Sequence, residues 1–181
     1  MSSATELLRD GETLALVAVG ANLGDRLATM RAAVARVARI AGVRVVAQSG
    51  VYDTAPVGPP DQPRYLNAAV ALAAAIGPRE LLRELLAVEA ELGRERGTSR
   101  WTARTIDLDL ILFGECTESE GDIQLPHPRF RERAFVLLPL AEIAGWARDP
   151  VTGERVESLL RACPGRSDAV LVGPLDPAAR T

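Results

Sequence analysis

Residues 13–20 (TLALVAVG) are apolar on both faces and rich in β-branched side chains, a pattern that predicts a buried strand. Asn22, Gly24 and Asp25 then supply turn and cap chemistry. From Leu27, the apolar residues Met30, Val34, Val37 and Ala41 share one helical face while Arg31, Arg36 and Arg39 stay off it, predicting an amphipathic helix that ends near Gly42. Residues 43–52 and 65–76 read as a second and a third strand. Between them lies TAPVGPPDQP, whose prolines and glycine exclude it from a ladder or a helix interior and make it a shaped loop. Pro78, the leucines at 82, 85, 86 and 92, and Gly93 mark a second helix with proline first and glycine last. After a charged loop, residues 105–113 (TIDLDLILF) predict a fourth strand. Residues 115–123 read as a hairpin or loop, 131–143 as a helix with an irregularity at Pro139, and 156–162 as a short final helix.

Strand, helix, two strands, helix, strand is the order of an α+β, ferredoxin-like βαββαβ sandwich. The sheet is expected to be mainly antiparallel with helices packed on one face, followed by extra C-terminal elements. A chain of 181 residues is long enough for one domain with a proper core, placed at 13–164, with 1–12 and 165–181 expected to be poorly ordered tails. No apolar run reaches the roughly 18 residues of a membrane span, and the N-terminal stretch carries Glu6, Arg9 and Asp10 where a signal peptide is apolar. A cytoplasmic protein, monomeric and without a membrane partner, is expected. Cys116 and Cys163 make neither a disulfide framework nor a zinc pair.

All 21 basic residues are arginine. Without lysine there is no Schiff-base chemistry and no P-loop lysine, so any phosphate must be held by guanidinium groups, backbone amides or metal. A net charge of -3 and 4% aromatics argue against a broad nucleic-acid surface.

Side chains alternate across a strand, so Asp107 and Asp109 project together from the face opposite Ile106, Leu108, Leu110 and Leu112. Their Cα atoms are expected roughly 6.6–7 Å apart. Repulsion between them is about 2 kcal/mol at an effective dielectric near 20, a cost that a divalent cation reverses. Hard oxygen ligands suit Mg²⁺. Alone, the D-x-D pattern divides evenly between a metal site and a solvated strand face. Arg94, Arg96, Arg100 and Arg104 before the strand, and Arg129, Arg131 and Arg133 after the Leu125-Pro126-His127-Pro128 segment, add the phosphate-binding half of a phosphoryl-transfer kit. His127, the only histidine, suits phosphate contact better than proton transfer. Trp101 either anchors its loop or stacks on a flat ligand. Tyr65 and Asn67 share a strand face, and Asn67 offers both the donor and the acceptor that a heterocycle edge requires. These residues leave open a phosphotransferase, another two-metal enzyme such as a nucleotidyltransferase or nuclease, and a ferredoxin-like RNA-binding module.

From residue 14 to 164 the chain strongly resembles the 6-hydroxymethyl-7,8-dihydropterin pyrophosphokinases of folate biosynthesis. The resemblance rests on VAVGANLGDR, on YDTAPVG with QPRYLNAAV, on GRER followed by RWTARTIDLDLILFG, and on LPHPRF with RAFVLLPL. It implies the ferredoxin-like fold and transfer of the β,γ-pyrophosphoryl unit of MgATP to the pterin hydroxymethyl, releasing AMP. It also implies two Mg²⁺ ions on Asp107 and Asp109, and triphosphate contacts from Arg94 and Arg104, which join the aspartates as catalytic residues. His127 and Arg133 would contribute to ATP binding, with Glu89 near the nucleotide. The pterin would sit on Thr54, Val57, Tyr65 and Asn67, between the rings of Trp101 and Phe135. Where family members often read Trp-Gly-Pro-Arg, this chain has Trp101-Thr102-Ala103-Arg104.

Overall fold

The computed structural model describes residues 8–56, 63–93, 105–164 and 168–178. Strand β1 (Thr13–Ala21) leads into helix α1 (Arg26–Val37), whose first turn is capped by the Asp25 carboxylate accepting from the Ala28 amide. Next come β2 (Val43–Gln48), β3 (Gly50–Thr54), β4 (Tyr65–Ala74) and helix α2 (Pro78–Glu91). Strand β5 (Asp107–Phe113) is followed by a 3₁₀ turn (Phe130–Glu132), helices α3 (Ala134–Ala144) and α4 (Val156–Ala162), and strand β6 (Val170–Pro174).

The strand order is β5-β1-β4-β3-β6, with β2 also pairing β4, and every one of these pairings is antiparallel. This is the expected split arrangement, in which β4 returns between β1 and the β2–β3 ribbon. The predicted second strand is broken: Ser49 interrupts it, its hydroxyl accepting from the Ala69 amide. The Gly50 amide turns to the Glu142 carboxylate of α3 at 2.9 and 3.0 Å. The ribbon thereby changes direction, and its second half, β3, pairs with the start of β4.

Helices occupy both faces of the sheet, not one. Val17, Val19, Val70, Leu72, Leu108 and Leu110 pack with Met30, Val34 and Val37 of α1 and Leu81, Leu85 and Val88 of α2. On the opposite face, Leu14, Leu16, Ala69 and Ala71 pack beneath Leu137 and Leu140 of α3, with Val156 and Leu159 of α4 behind them. The alanines of β4, which would also suit a helix, are what lets α3 approach closely. Pro139 sits inside α3 without ending it. Residues 170–174, assigned to a tail by their sequence, form the edge strand β6.

The alternation predicted for β5 also breaks. Leu16 pairs with Leu112 and Val17 with Leu110, so Ile111 is an extra residue, a β-bulge. Leu108 and Leu110 consequently face α1 and α2, whereas Leu112 joins the cluster under α3. Asp107 and Asp109 precede the bulge and keep their shared face.

Candidate active site

Residues directly opposite one another in antiparallel strands share a face, so the register places Asp107, Gly20, Asn67 and Tyr52 in one row across four strands. Asp109, Ala18 and Ala69 form the next row towards α3, and Thr54 and Tyr65 form a pair on the other side. The face is apolar where α3 covers it and polar beyond. Gly20 sits between the acidic and the amide halves of this surface. A Cβ there would lie 3.4 Å from Asn67 Oδ1 and 3.9 Å from the Asp107 Cβ, so glycine keeps the floor low. In the sequence Gly20 reads only as the end of the strand; the signal of its role is a glycine within an otherwise apolar run that continues to Ala21.

Asn67 and Thr54 are both buried. Asn67 donates from Nδ2 to Thr54 Oγ1 at 2.7 Å, which fixes the amide plane with Oδ1 over Gly20. Tyr65 is half-buried beside them. Tyr52, in the same row, is committed to structure: its hydroxyl donates to Glu142 at 2.8 Å, and burial with that carboxylate pushes its pKa up to about 12.

Glu89 does not open onto this surface. It is 1% exposed on α2, and its Oε1 accepts from the Leu108 amide at 2.7 Å. That amide belongs to the residue between the two aspartates, on the outer strand of the sheet. Glu89 therefore holds the strand segment that aims Asp107 and Asp109.

The bulge at Ile111 supplies the next part of the site. Its carbonyl accepts from the His127 amide at 2.9 Å, tying the 125–133 segment to β5. Burial, and after it the Arg133 cation, push the His127 pKa down to about 4, with Asp107 opposing. The ring is thus neutral at pH 7. Its Nδ1 accepts from the Arg129 amide at 3.3 Å, so the ring proton resides on Nε2, free to donate. Arg133 stands at the N-cap of α3, its guanidinium carbon 5.8 Å from the centre of the Phe135 ring. Arg131, one of the seven arginines of the sequence motif, points elsewhere. It grips Asp149 through two hydrogen bonds, at 2.6 and 2.8 Å. Burial alone would raise the Asp149 pKa, but Arg131, Thr152 and the Val151 amide outweigh it and hold it low.

Asp107, Asp109, Asn67, Thr54, Tyr65, His127, Arg133 and Phe135 are thus brought to one side of the sheet, with Glu89 beneath its edge. Val57, Arg94, Trp101 and Arg104 lie outside the described residues. Two carboxylates side by side on a strand, with a glycine opposite, are a donor set of hard oxygens that fits magnesium.

Residues 16–145 match the family model of 7,8-dihydro-6-hydroxymethylpterin-pyrophosphokinase. The chain is similar to the 2-amino-4-hydroxy-6-hydroxymethyldihydropteridine pyrophosphokinase of Synechocystis, 39% identical over 90% of this chain and 80% of the relative. The enzymes of the same name from Pseudomonas aeruginosa and Bacillus subtilis are 43% and 45% identical, over 82% and 72% of this chain and 90% and 77% of theirs. Among solved structures, wild-type Plasmodium falciparum HPPK-DHPS superposes with a TM-score of 0.68 at 12% identity, over 83% of this chain. This chain spans 43% of that longer one, and the likeness concerns the fold. The match across most of its length, with 39–45% identity to three bacterial enzymes, makes this chain a member of the 7,8-dihydro-6-hydroxymethylpterin pyrophosphokinase family.

Proposed function

We propose that Asp107 and Asp109 hold the magnesium of MgATP while the pterin lies on the Thr54, Tyr65 and Asn67 side of Gly20, so that the two reactants meet above that glycine. The reaction is the family's: pyrophosphoryl transfer onto 6-hydroxymethyl-7,8-dihydropterin in folate biosynthesis, with ATP as co-substrate. The row Asp107–Gly20–Asn67 carries this reading, because it sets a metal-binding carboxylate and a heterocycle-reading amide side by side across a gap that a side chain would fill.

Among the described residues no group of three or more His, Cys, Asp or Glu surrounds a single point. Two carboxylates with the rest of the shell left to water and phosphate oxygens is the usual arrangement for Mg²⁺ on a nucleotide, and the pair can serve two ions. Held by Asp107 and Asp109, the metal would neutralise charge on the transferred phosphates and the AMP leaving group and would lower the pKa of the attacking hydroxyl. Asn67 orients the pterin edge through its Thr54-locked amide. Neutral His127 donates from Nε2 to a phosphate oxygen, and Arg133 adds a cation while its contact with Phe135 joins the phosphate and pterin sides. Arg94 and Arg104 complete the triphosphate contacts, and Val57 and Trp101 the pterin pocket. Glu89 acts through β5 by fixing the Leu108 amide. We place the enzyme in the cytoplasm as a monomer acting on these two small substrates, without nucleic-acid or membrane partners. No helix among the described residues is long and apolar enough to cross a membrane.

The direct test is nucleotide product analysis with MgATP and the hydroxymethyl pterin: pterin-dependent AMP is expected, and ADP would overturn the reading. Asp107→Ala and Asp109→Ala should each lose nearly all turnover with an unchanged circular dichroism spectrum. Activity retained within about tenfold, or roughly 1.4 kcal/mol of barrier, would remove that residue from the metal site.

A further inference from the structure

The C-terminal strand β6 is anchored at both ends, and the anchor at its N-terminal end lies at the base of the loop between β3 and β4. At one end Leu175 is buried in the core on the α1 face, its amide donating to the Ser49 carbonyl. Arg31 of α1 donates to the carbonyls of Leu175 and Pro174 at 3.0 and 3.2 Å. In between, β6 pairs with β3 from Gly50 to Asp53. At the other end Asp168 Oδ2 accepts from the Ala55 amide at 2.7 Å. Arg64, on the far side of the loop, donates to the carbonyls of Asp168 and Asp53 and forms an ion pair with the Asp53 carboxylate. Arg26 of α1 donates to the Arg64 carbonyl at 2.8 Å and reaches the same carboxylate at 3.5 Å.

Ala55 and Arg64 immediately follow and precede Thr54 and Tyr65, the pair at the pterin side of the site. Thr54 Oγ1 in turn sets the amide plane of Asn67. A short covalent and hydrogen-bonded path therefore runs from Asp168 through Ala55 and Thr54 to Asn67. We propose that Asp168 is a positioning residue for the pterin, and that the C-terminal segment 168–175 is a strap preorganising Thr54, Tyr65 and Asn67 for that substrate but not the nucleotide half of the site. The inference rests on the placement of the pterin proposed above. A carboxylate accepting a backbone amide next to a binding residue cuts the ordering cost of binding without touching the ligand.

The experiment is a fluorescence titration of 6-hydroxymethyl-7,8-dihydropterin into the full chain with Mg²⁺ and a non-hydrolysable ATP analogue present. The affinity of the analogue alone is measured by calorimetry on the same samples. Asp168→Ala should weaken pterin binding about fivefold and leave analogue affinity unchanged, the scale expected for lost preorganisation at one hydrogen bond. Asp168→Asn, which keeps an oxygen acceptor for the Ala55 amide, should restore pterin affinity to within about twofold of the parent. Unchanged pterin affinity in Asp168→Ala overturns the strap, as does an equal loss for both ligands, which would mark a general effect on folding. Asn67→Ala separates the two readings. If it weakens pterin binding while Asp168→Ala does not, the site stands and the strap falls. If neither does, the site placement fails and takes the strap with it.

Discussion

His127 is held neutral by its surroundings, and that state has a measurable consequence. An imidazole with a pKa near 6.5 when unfolded and about 4 when folded binds fewer protons in the folded state throughout that interval. Its contribution to stability is therefore complete above about pH 6.5 and declines as the pH falls towards 4. For a half-buried ring the loss between pH 7 and pH 5 should be about 1 kcal/mol after allowance for solvent. Urea midpoints of the parent and of His127→Gln, compared at pH 7 and pH 5, check this. The parent should lose more stability than the variant over that interval, since the carboxylates titrate alike in both. Parallel pH dependence would mean that His127 is not buried neutral. The same neutrality lets one ring nitrogen accept from the Arg129 amide and leaves the other a neutral donor, so it also constrains what the residue can do.

At the scale of elements, the segment from Leu125 to Phe135 is short and irregular, and what steadies it lies far away in sequence. Its first half hangs from the bulged Ile111 carbonyl, and its second half is clasped by the Arg131–Asp149 pair. Asp149 is fully buried while Arg131 keeps access to water, so removing the carboxylate strands a guanidinium and empties a buried polar site. Asp149→Ala should cost about 3 kcal/mol in denaturant unfolding, the scale of a broken buried pair. It should also raise the KM for ATP more than the KM for the pterin, because His127 and Arg133 flank the clasp. A variant that loses stability while both KM values stay put would restrict the pair to a folding role. This clasp was not legible in the sequence, where Arg131 counts simply as one more arginine near phosphate. Local signals did reveal β1, α1, α2 and the aspartate pair, because period, caps and β-branching act over a few residues. The break at Ser49, the bulge at Ile111 and the strand at 170–174 depend on Glu142, the register with β1 and the edge of β3. Those are partners that no window of neighbouring residues contains. The direction of α3 was hidden for the same reason: alanines in β4 permit a helix on that face, but only the fold shows one there.

Across the whole molecule, the absence of lysine makes the division of cationic labour chemically addressable. All 21 basic side chains are arginine, and among the described ones several serve to join elements. Arg26, Arg31, Arg44, Arg64, Arg79 and Arg131 are engaged with carboxylates or carbonyls that join elements, and Arg133, at the start of α3, lays its guanidinium against Phe135. An amine-directed reagent therefore finds only the chain's terminal amine and should leave turnover within about twofold, since surface changes away from specific features are small in effect. Phenylglyoxal, which attacks guanidinium groups, should abolish it. The structural arginines would contribute to that loss, so the informative quantity is protection: MgATP should slow inactivation severalfold, because a guanidinium bound bidentately to phosphate oxygens is shielded while one joined to Asp149 is unaffected by nucleotide. ATP with a chelator in place of magnesium should protect far less if Asp107 and Asp109 deliver the nucleotide to the arginines through the metal. Inactivation rates that are identical with and without MgATP would show that the reagent acts by unfolding the protein, and would leave the arginine face of the site without support.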